Sequence, residues 1–79
     1  MMTHANPTAL VDGRRLRAAM DDYQDRRHAS IGDIAKAAGV NDRTIYRWLR
    51  GQRSDVYALD QVACLLGMHW SSLTGDDPR

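Results

Sequence analysis

Three arginines recur at intervals of four and three residues in the segment AAGVNDRTIYRWLRG, residues 37–51. At this spacing Arg43, Arg47 and Arg50 fall on one side of a helix, because residues three or four apart share a helical face. A guanidinium donates hydrogen bonds in a fixed fork that matches a phosphate group or the O6 and N7 acceptors of guanine. The pattern therefore predicts a helix that presents cations to a polyanion.

The net charge of +1 conceals an uneven distribution. Residues 30–53 carry five basic side chains against two acidic ones, whereas residues 54–79 carry one against four. A local excess of positive charge directs an anionic partner to one face of a protein. We therefore expect such a partner to meet the middle of the chain.

The length and composition are those of one small globular domain. With 79 residues, 43% of them hydrophobic and 27% charged, the chain differs from disordered sequences, which are poor in apolar residues. The single cysteine, Cys64, suits a reducing cytosol. We recognise neither a signal peptide nor an apolar run of about 20 residues, and so expect a cytoplasmic protein with no membrane partner.

Hydrophobic spacing predicts helices and no strand. The first helix begins at Thr8 or Asp12, which are both good N-caps. Ser30 caps a short second helix, Asp33 takes the acidic position of a capping box, and Gly39 ends the helix in a left-handed conformation. The inward stripes of these two helices are Leu16, Ala19, Met20 and Tyr23 in the first, and Ile34, Ala35 and Ala38 in the second.

Two further helices and a short turn follow. Asn41 caps the third helix and Gly51 ends it, Ser54 or Asp55 begins the fourth, and residues 69–73 form a possible fifth turn. The inward stripes are Ile45, Trp48 and Leu49 in the third helix, and Val56, Leu59, Val62, Ala63 and Leu66 in the fourth. The predicted fold is all-α, a compact bundle of four to five helices. A flexible arm over residues 1–7 precedes the domain at 8–73, and a polar tail over 74–79 follows it.

Only the residues GVN separate the second and third helices. A short turn that contains glycine sets two helices at a steep angle. Ala35 is small where the helices cross, Val40 fills the corner, and Ile45 with Trp48 holds the third helix in place. The outward residues of the third helix are then Asp42, Arg43, Thr44, Tyr46, Arg47 and Arg50.

The segment SIGDIAKAAGVNDRTIYRWLRG resembles the helix-turn-helix of the Cro and lambda-repressor-like family of DNA-binding proteins. The resemblance continues through LDQVACLLGM, which is similar to that family's fourth helix, and covers about residues 16–73. It implies a DNA-binding domain whose third helix enters the major groove of double-stranded DNA. The positions that agree at fixed spacing are Ile34, Ala35, Ala38, Gly39, Val40, Ile45 and Trp48.

The resemblance also implies roles for individual residues. Base-reading positions are Asn41, Asp42, Arg43 and Arg47. Phosphate-binding positions are Thr44, Arg50, Arg53 and the backbone at Ser30 and Ile31. Two of the outward residues keep alternatives: Asp42 can instead stabilise the helix dipole, and Tyr46 can pack, contact a thymine methyl group or bind a phosphate.

No residues have the pattern of a catalytic or metal site. His4, His28 and His69 have no second ligand at metal spacing, and Cys64 alone can neither build a zinc site nor find a histidine to activate it. The aspartates of the first helix lie at ion-pair spacing to arginines and are predicted to be surface pairs. We expect no enzymatic activity, cofactor, bound metal or small-molecule ligand.

A single helix reads about four or five base pairs, too few for useful specificity in a genome. We therefore expect a homodimer whose half-sites lie about one helical turn apart. Tyr57, Leu65 and Trp70 fall off the inward stripes and are candidates for its interface. Trp70 can instead fold over Leu66 and Leu73 to complete the core.

These expectations together predict a sequence-specific transcriptional regulator, a repressor of the phage Cro-like or immunity type. Three alternatives remain. The chain can be an antitoxin that represses its own operon, or an adaptor that docks a partner protein through the candidate interface residues. It can also be the DNA-recognition module of a recombination or excision complex. Steep loss of binding with salt separates the DNA binders from the adaptor.

Overall fold

The computed structural model describes residues 7–75 and is built mainly of helices, as predicted. Residues 1–6 of the predicted arm and 76–79 of the predicted tail lie outside the described residues. The elements in chain order are β1 (Thr8–Leu10), α1 (Gly13–Arg27), α2 (Ile31–Ala38), α3 (Asp42–Leu49), β2 (Arg53–Asp55), α4 (Val56–Leu65) and a 3₁₀ helix (Trp70–Leu73). No helix within residues 7–75 is both long and apolar enough to span a bilayer.

The prediction that the chain contains no strand is wrong. β1 and β2 form a two-stranded antiparallel sheet in which Ala9 lies opposite Ser54. The pairing extends to Pro7, whose carbonyl oxygen accepts a hydrogen bond of 2.9 Å from the Val56 N–H. Each strand has three residues, too few to show an alternating pattern, and the partners lie far apart in the chain. The fold is therefore mainly helical rather than all-α.

The first helix begins at the later of its two predicted starts. Asp12 is the N-cap, because its carboxylate accepts hydrogen bonds from the N–H groups of Arg14 and Arg15. Thr8 instead belongs to β1. The fourth helix likewise takes Asp55, which accepts a hydrogen bond from the backbone of α4.

The predicted capping box of α2 is confirmed. The Asp33 N–H donates to the Ser30 hydroxyl oxygen at 3.1 Å, and the Ser30 N–H donates to the Asp33 carboxylate at 3.0 Å. The backbone bond from Ser30, then the contact with its hydroxyl and the charge of Lys36, hold the pKa of Asp33 below its ordinary value of 3.8. Gly39 ends the helix with φ of 75°, in the predicted left-handed conformation.

The predicted inward stripes supply most of the core. Ala19, Tyr23, Leu49 and Val56 of those stripes are only half-buried. Val11, which follows β1 and forms an isolated bridge with Thr74, adds to the core. Ser54 in β2 is a buried polar residue whose hydroxyl donates to the Asp55 carbonyl oxygen at 2.8 Å. The buried apolar residues are Val11, Leu16, Met20, Ile34, Ala35, Ala38, Ile45, Trp48, Leu59, Val62, Ala63, Leu66 and Leu73.

The first turn of α1 lies directly on the end of α3. A Cβ atom at Gly13 would overlap the Leu49 carbonyl oxygen and lie 2.9 Å from its carbonyl carbon. Only glycine leaves enough space for this approach, because backbone atoms cannot move aside as a flexible side chain can. Gly13 thus fixes the position of α1 relative to α3.

The segment after the 3₁₀ helix is attached to the other side of β1. The Gly75 N–H donates to the Leu10 carbonyl oxygen at 3.0 Å. The Arg15 guanidinium donates to the Thr74 carbonyl oxygen at 2.9 Å. Thr74 and Gly75, which the sequence assigns to the polar tail, therefore connect the end of the chain to β1 and α1.

Candidate nucleic-acid interface

α2 and α3 pack against each other across a three-residue turn, residues 39–41, and form what we call the α2–α3 unit (Ile31–Leu49). The Val40 N–H donates to the Ala35 carbonyl oxygen at 2.9 Å, which closes the turn. Ile45 and Trp48 are buried, so the side of α3 that carries them faces the core. The remaining side of α3 is left at the surface.

That surface carries an arginine-rich stripe. Arg43, Tyr46, Arg47 and Arg50, which we call the α3 face, line an open depression of about 310 Å³. Their spacing of three, four and seven residues from Arg43 places them on one side of the helix. Tyr46 is 48% exposed, so it is not part of the core, although its contact with a thymine or a phosphate stays open.

A second depression, of about 180 Å³, lies on the other side of Arg47. It is lined by Thr44 and Arg47 from α3 and by Arg53 from β2, with Asp55 and Ala58 beyond them. Pairing with β1 positions Arg53 here, whereas the sequence placed this residue in a loop. The structure thus brings the predicted residues from Arg43 to Arg53 onto one continuous surface.

These arginines are not neutralised within the part of the chain that the structure describes. The ion pairs there join Arg15 to Asp12 at 3.5 Å and Arg26 to Asp22 at 3.0 Å. Neither pair involves α3 or β2. An arginine without an internal acidic partner remains available to an external anion, and here four such side chains (Arg43, Arg47, Arg50 and Arg53) share one surface.

The two other predicted base-reading residues lie at the start of α3. The Asn41 side-chain oxygen accepts a hydrogen bond of 2.9 Å from the Arg43 N–H, so this oxygen acts as the helix cap and the amide nitrogen points elsewhere. Asp42 is exposed in the first turn. There a carboxylate stabilises the helix dipole, and either of its predicted roles is open.

The predicted phosphate contacts at the start of α2 are partly occupied. The capping box takes the Ser30 N–H and the acceptor side of its hydroxyl. The N–H groups of Ile31 and Gly32 come next along the helix, where backbone donors point out of the first turn. The Asp33 carboxylate lies beside them and opposes an anion, so this site is weaker than the sequence suggests.

The three predicted interface residues do not form one exposed patch. Tyr57 is 62% exposed near the start of α4. Leu65 lies at the other end of that helix, about 12 Å away along the axis, and is half-buried. Trp70 packs against the core, with its ring 5.3 Å from that of His69. Tyr57 is therefore the strongest of the three candidates.

Neither a cluster of metal ligands nor a similarity to known proteins assigns a function to the described residues. Among residues 7–75, no three or more histidine, cysteine or acidic side chains come together as a metal site would require. Comparison of the chain with protein-family models, with curated proteins and with solved structures finds no match. The functional interpretation therefore rests on the chain's own residues and geometry.

Proposed function

We propose that this chain is a sequence-specific, double-stranded DNA-binding transcriptional regulator. In this proposal the α2–α3 unit acts as a helix-turn-helix, with α3 in the major groove. The observation that carries it is the α3 face, where Arg43, Arg47 and Arg50 lie exposed on one side of α3 with no acidic partner among residues 7–75. A cationic helix surface without internal partners is the electrostatic footprint of a nucleic-acid reader.

The proposed division of labour follows from position. Arg43 lies in the first turn of α3, the part of a recognition helix that meets base edges, and Arg47 lies one turn further along the same side. Each can donate two hydrogen bonds to a guanine. Arg50 at the helix end, Thr44 and Arg53 lie at the edges of the surface and contact phosphates, which position the helix without reading sequence. The N–H groups at the start of α2 add a weaker phosphate contact.

In this proposal the chain acts by occupying its operator. Two copies bound to an inverted repeat place an α3 helix in each of two successive major grooves and exclude polymerase from the site. Repression by steric exclusion requires neither a ligand-binding domain nor catalysis. Tyr57 is the proposed centre of the contact between the two copies.

Selection from random double-stranded DNA tests this function. The purified chain is incubated with the library, and the retained molecules are sequenced. We expect an enriched inverted repeat with half-site centres about ten base pairs apart. A variant with Arg43→Ala and Arg47→Ala serves as the control and should lose the enrichment while retaining the helical circular-dichroism spectrum. No enrichment by the folded wild-type chain would overturn the proposal.

A further inference from the structure

α1 carries five arginines, and the structure divides them into two groups. Three interact within the protein: Arg15 with Asp12 and Thr74, Arg26 with Asp22, and Arg27 over the ring of Tyr23 at 5.8 Å. The other two, Arg14 and Arg17, are exposed. Neither side chain makes a hydrogen bond or ion pair with any residue from 7 to 75.

The contact at Gly13 brings these two arginines close to the α3 face. Consecutive Cα atoms are 3.8 Å apart, and a Cβ at Gly13 would lie 3.4 Å from the Leu49 Cα. The Cα atoms of Arg14 and Arg50 are therefore no more than about 13 Å apart. Arg17 lies one turn beyond Gly13 on the same face of α1, the face that Gly13 presents to α3.

Arg14 also occupies an unfavourable position for a cation. It lies in the first turn of α1, where the helix dipole is positive and where Asp12, the N-cap, is the nearest acidic residue. A cation there lowers the stability of the helix. The Arg15 side chain pairs with Asp12 and donates to Thr74, whereas the Arg14 side chain makes no such contact with residues 7–75. The exposed Arg14 side chain is therefore available to an external anion.

We propose that Arg14 and Arg17 bind phosphates of the same DNA strand that Arg50 contacts. This inference rests on the proposed function and extends its surface from α3 to the start of α1. One strand of B-DNA carries a phosphate for each 3.4 Å of rise, so residues whose Cα atoms lie within about 13 Å of each other can contact nearby phosphates of one strand. In this arrangement Gly13 contributes to binding, because it lets α1 and α3 approach closely enough to contact the phosphates of one DNA strand.

The test measures the salt dependence of binding to a mixed-sequence duplex of about 20 base pairs, since phosphate contacts do not depend on sequence. Wild-type chain is compared with a double variant, Arg14→Ala with Arg17→Ala. We expect the magnitude of the slope of log K against log salt to fall by about two, because each phosphate contact contributes about 0.9. Thermal unfolding should show that the double variant is no less stable than wild type.

Arg26→Ala with Arg27→Ala is the matched control, since it removes the same charge from the same helix. Its slope should remain that of wild type. An equal fall in both double variants, which would indicate a general effect of net charge, overturns the inference. So does an unchanged slope for the Arg14 and Arg17 variant when wild type binds. Failure of the wild-type chain to bind duplex DNA overturns the proposed function as well, so the two failures are distinguishable.

Discussion

At the scale of single residues, the proposed DNA-binding surface is distinguished by arginines that have no internal partner among residues 7–75. Arg26 forms an ion pair with Asp22, and Arg27 stacks on an aromatic ring. Arg43 and Arg50 have no acidic partner among residues 7–75. Exposed ion pairs contribute at most about 1 kcal/mol, so the difference bears on availability to a ligand rather than on stability.

Arg43→Ala should relax base preference, whereas Arg50→Ala should weaken binding to all sequences alike and lower the salt slope by about one. Arg43→Lys should also relax preference, because lysine cannot donate in the two-pronged geometry of a guanidinium. Affinity for the selected operator and for single-base variants at several salt concentrations measures both effects. Equal losses on every sequence for both residues would contradict this division.

The Asp33 carboxylate should make part of the free energy of unfolding depend on pH in the acidic range. Its pKa is lowered in the folded protein, chiefly by the hydrogen bond from the Ser30 N–H, so the unfolded chain binds the proton more readily. The stabilisation is fully present above 3.8, the ordinary pKa, and is lost as the pH falls through the lower value of the folded state. Urea unfolding at about pH 6 and about pH 3 should show a smaller loss for Asp33→Asn than for wild type.

The control for that comparison is Asp25→Asn, which changes the net charge equally. Asp25 is exposed, and within the described residues its carboxylate accepts no hydrogen bond and forms no ion pair. Its acid-induced loss of stability should therefore match wild type. If the two variants respond to pH identically, the capping box contributes nothing to the acid dependence.

At the scale of elements, two glycines at similar helix positions differ in whether the structure has space for a side chain. Both lie in the first turn of a helix, Gly13 in α1 and Gly32 in α2. A Cβ at Gly32 would lie 3.6 Å from the Ser30 hydroxyl oxygen, an ordinary contact, whereas one at Gly13 would overlap backbone atoms of Leu49. Helix propensity alone favours alanine at both positions.

Gly13→Ala should lower the free energy of unfolding by about 1–3 kcal/mol, the usual effect of forcing an extra methyl group into a packed contact. Gly32→Ala should raise it by about 0.5–1 kcal/mol, because alanine is the better helix former. Each kcal/mol corresponds to about 4–8 °C in the melting temperature of a chain of this size. Stabilisation by both substitutions would show that α1 does not approach α3 as described.

At the scale of the whole molecule, binding by two copies depends on the spacing of their sites. If two chains bind a symmetric operator, inserting about five base pairs between the half-sites turns one away from the other and should abolish cooperative binding. Tyr57→Ala should reduce cooperativity while leaving the affinity for a single half-site unchanged. Gln61→Ala, an exposed change one turn further along α4, serves as the control. Equal binding at both spacings would mean that the chains bind independently.

The sequence by itself determined the caps of α2 and α3, most of the inward faces and the arginine stripe on α3, but it left two possible starts for α1 and for α4. Caps such as Ser30 with Asp33, the left-handed Gly39 and the apolar spacing of Ile45 and Trp48 act over a few residues, so their effects can be predicted locally. The spacing of Arg43, Arg47 and Arg50 predicts their common face for the same reason.

Only the tertiary structure decided which residues meet across the fold. The β1–β2 pairing, the position of Arg53 beside Arg47 and the contact of Gly13 with Leu49 join residues that are far apart in the chain. Strands of three residues carry too little pattern to be recognised, and no local rule distinguishes Gly13 from Gly32. Such contacts form because the core closes around them, and that closure depends on all the helices together.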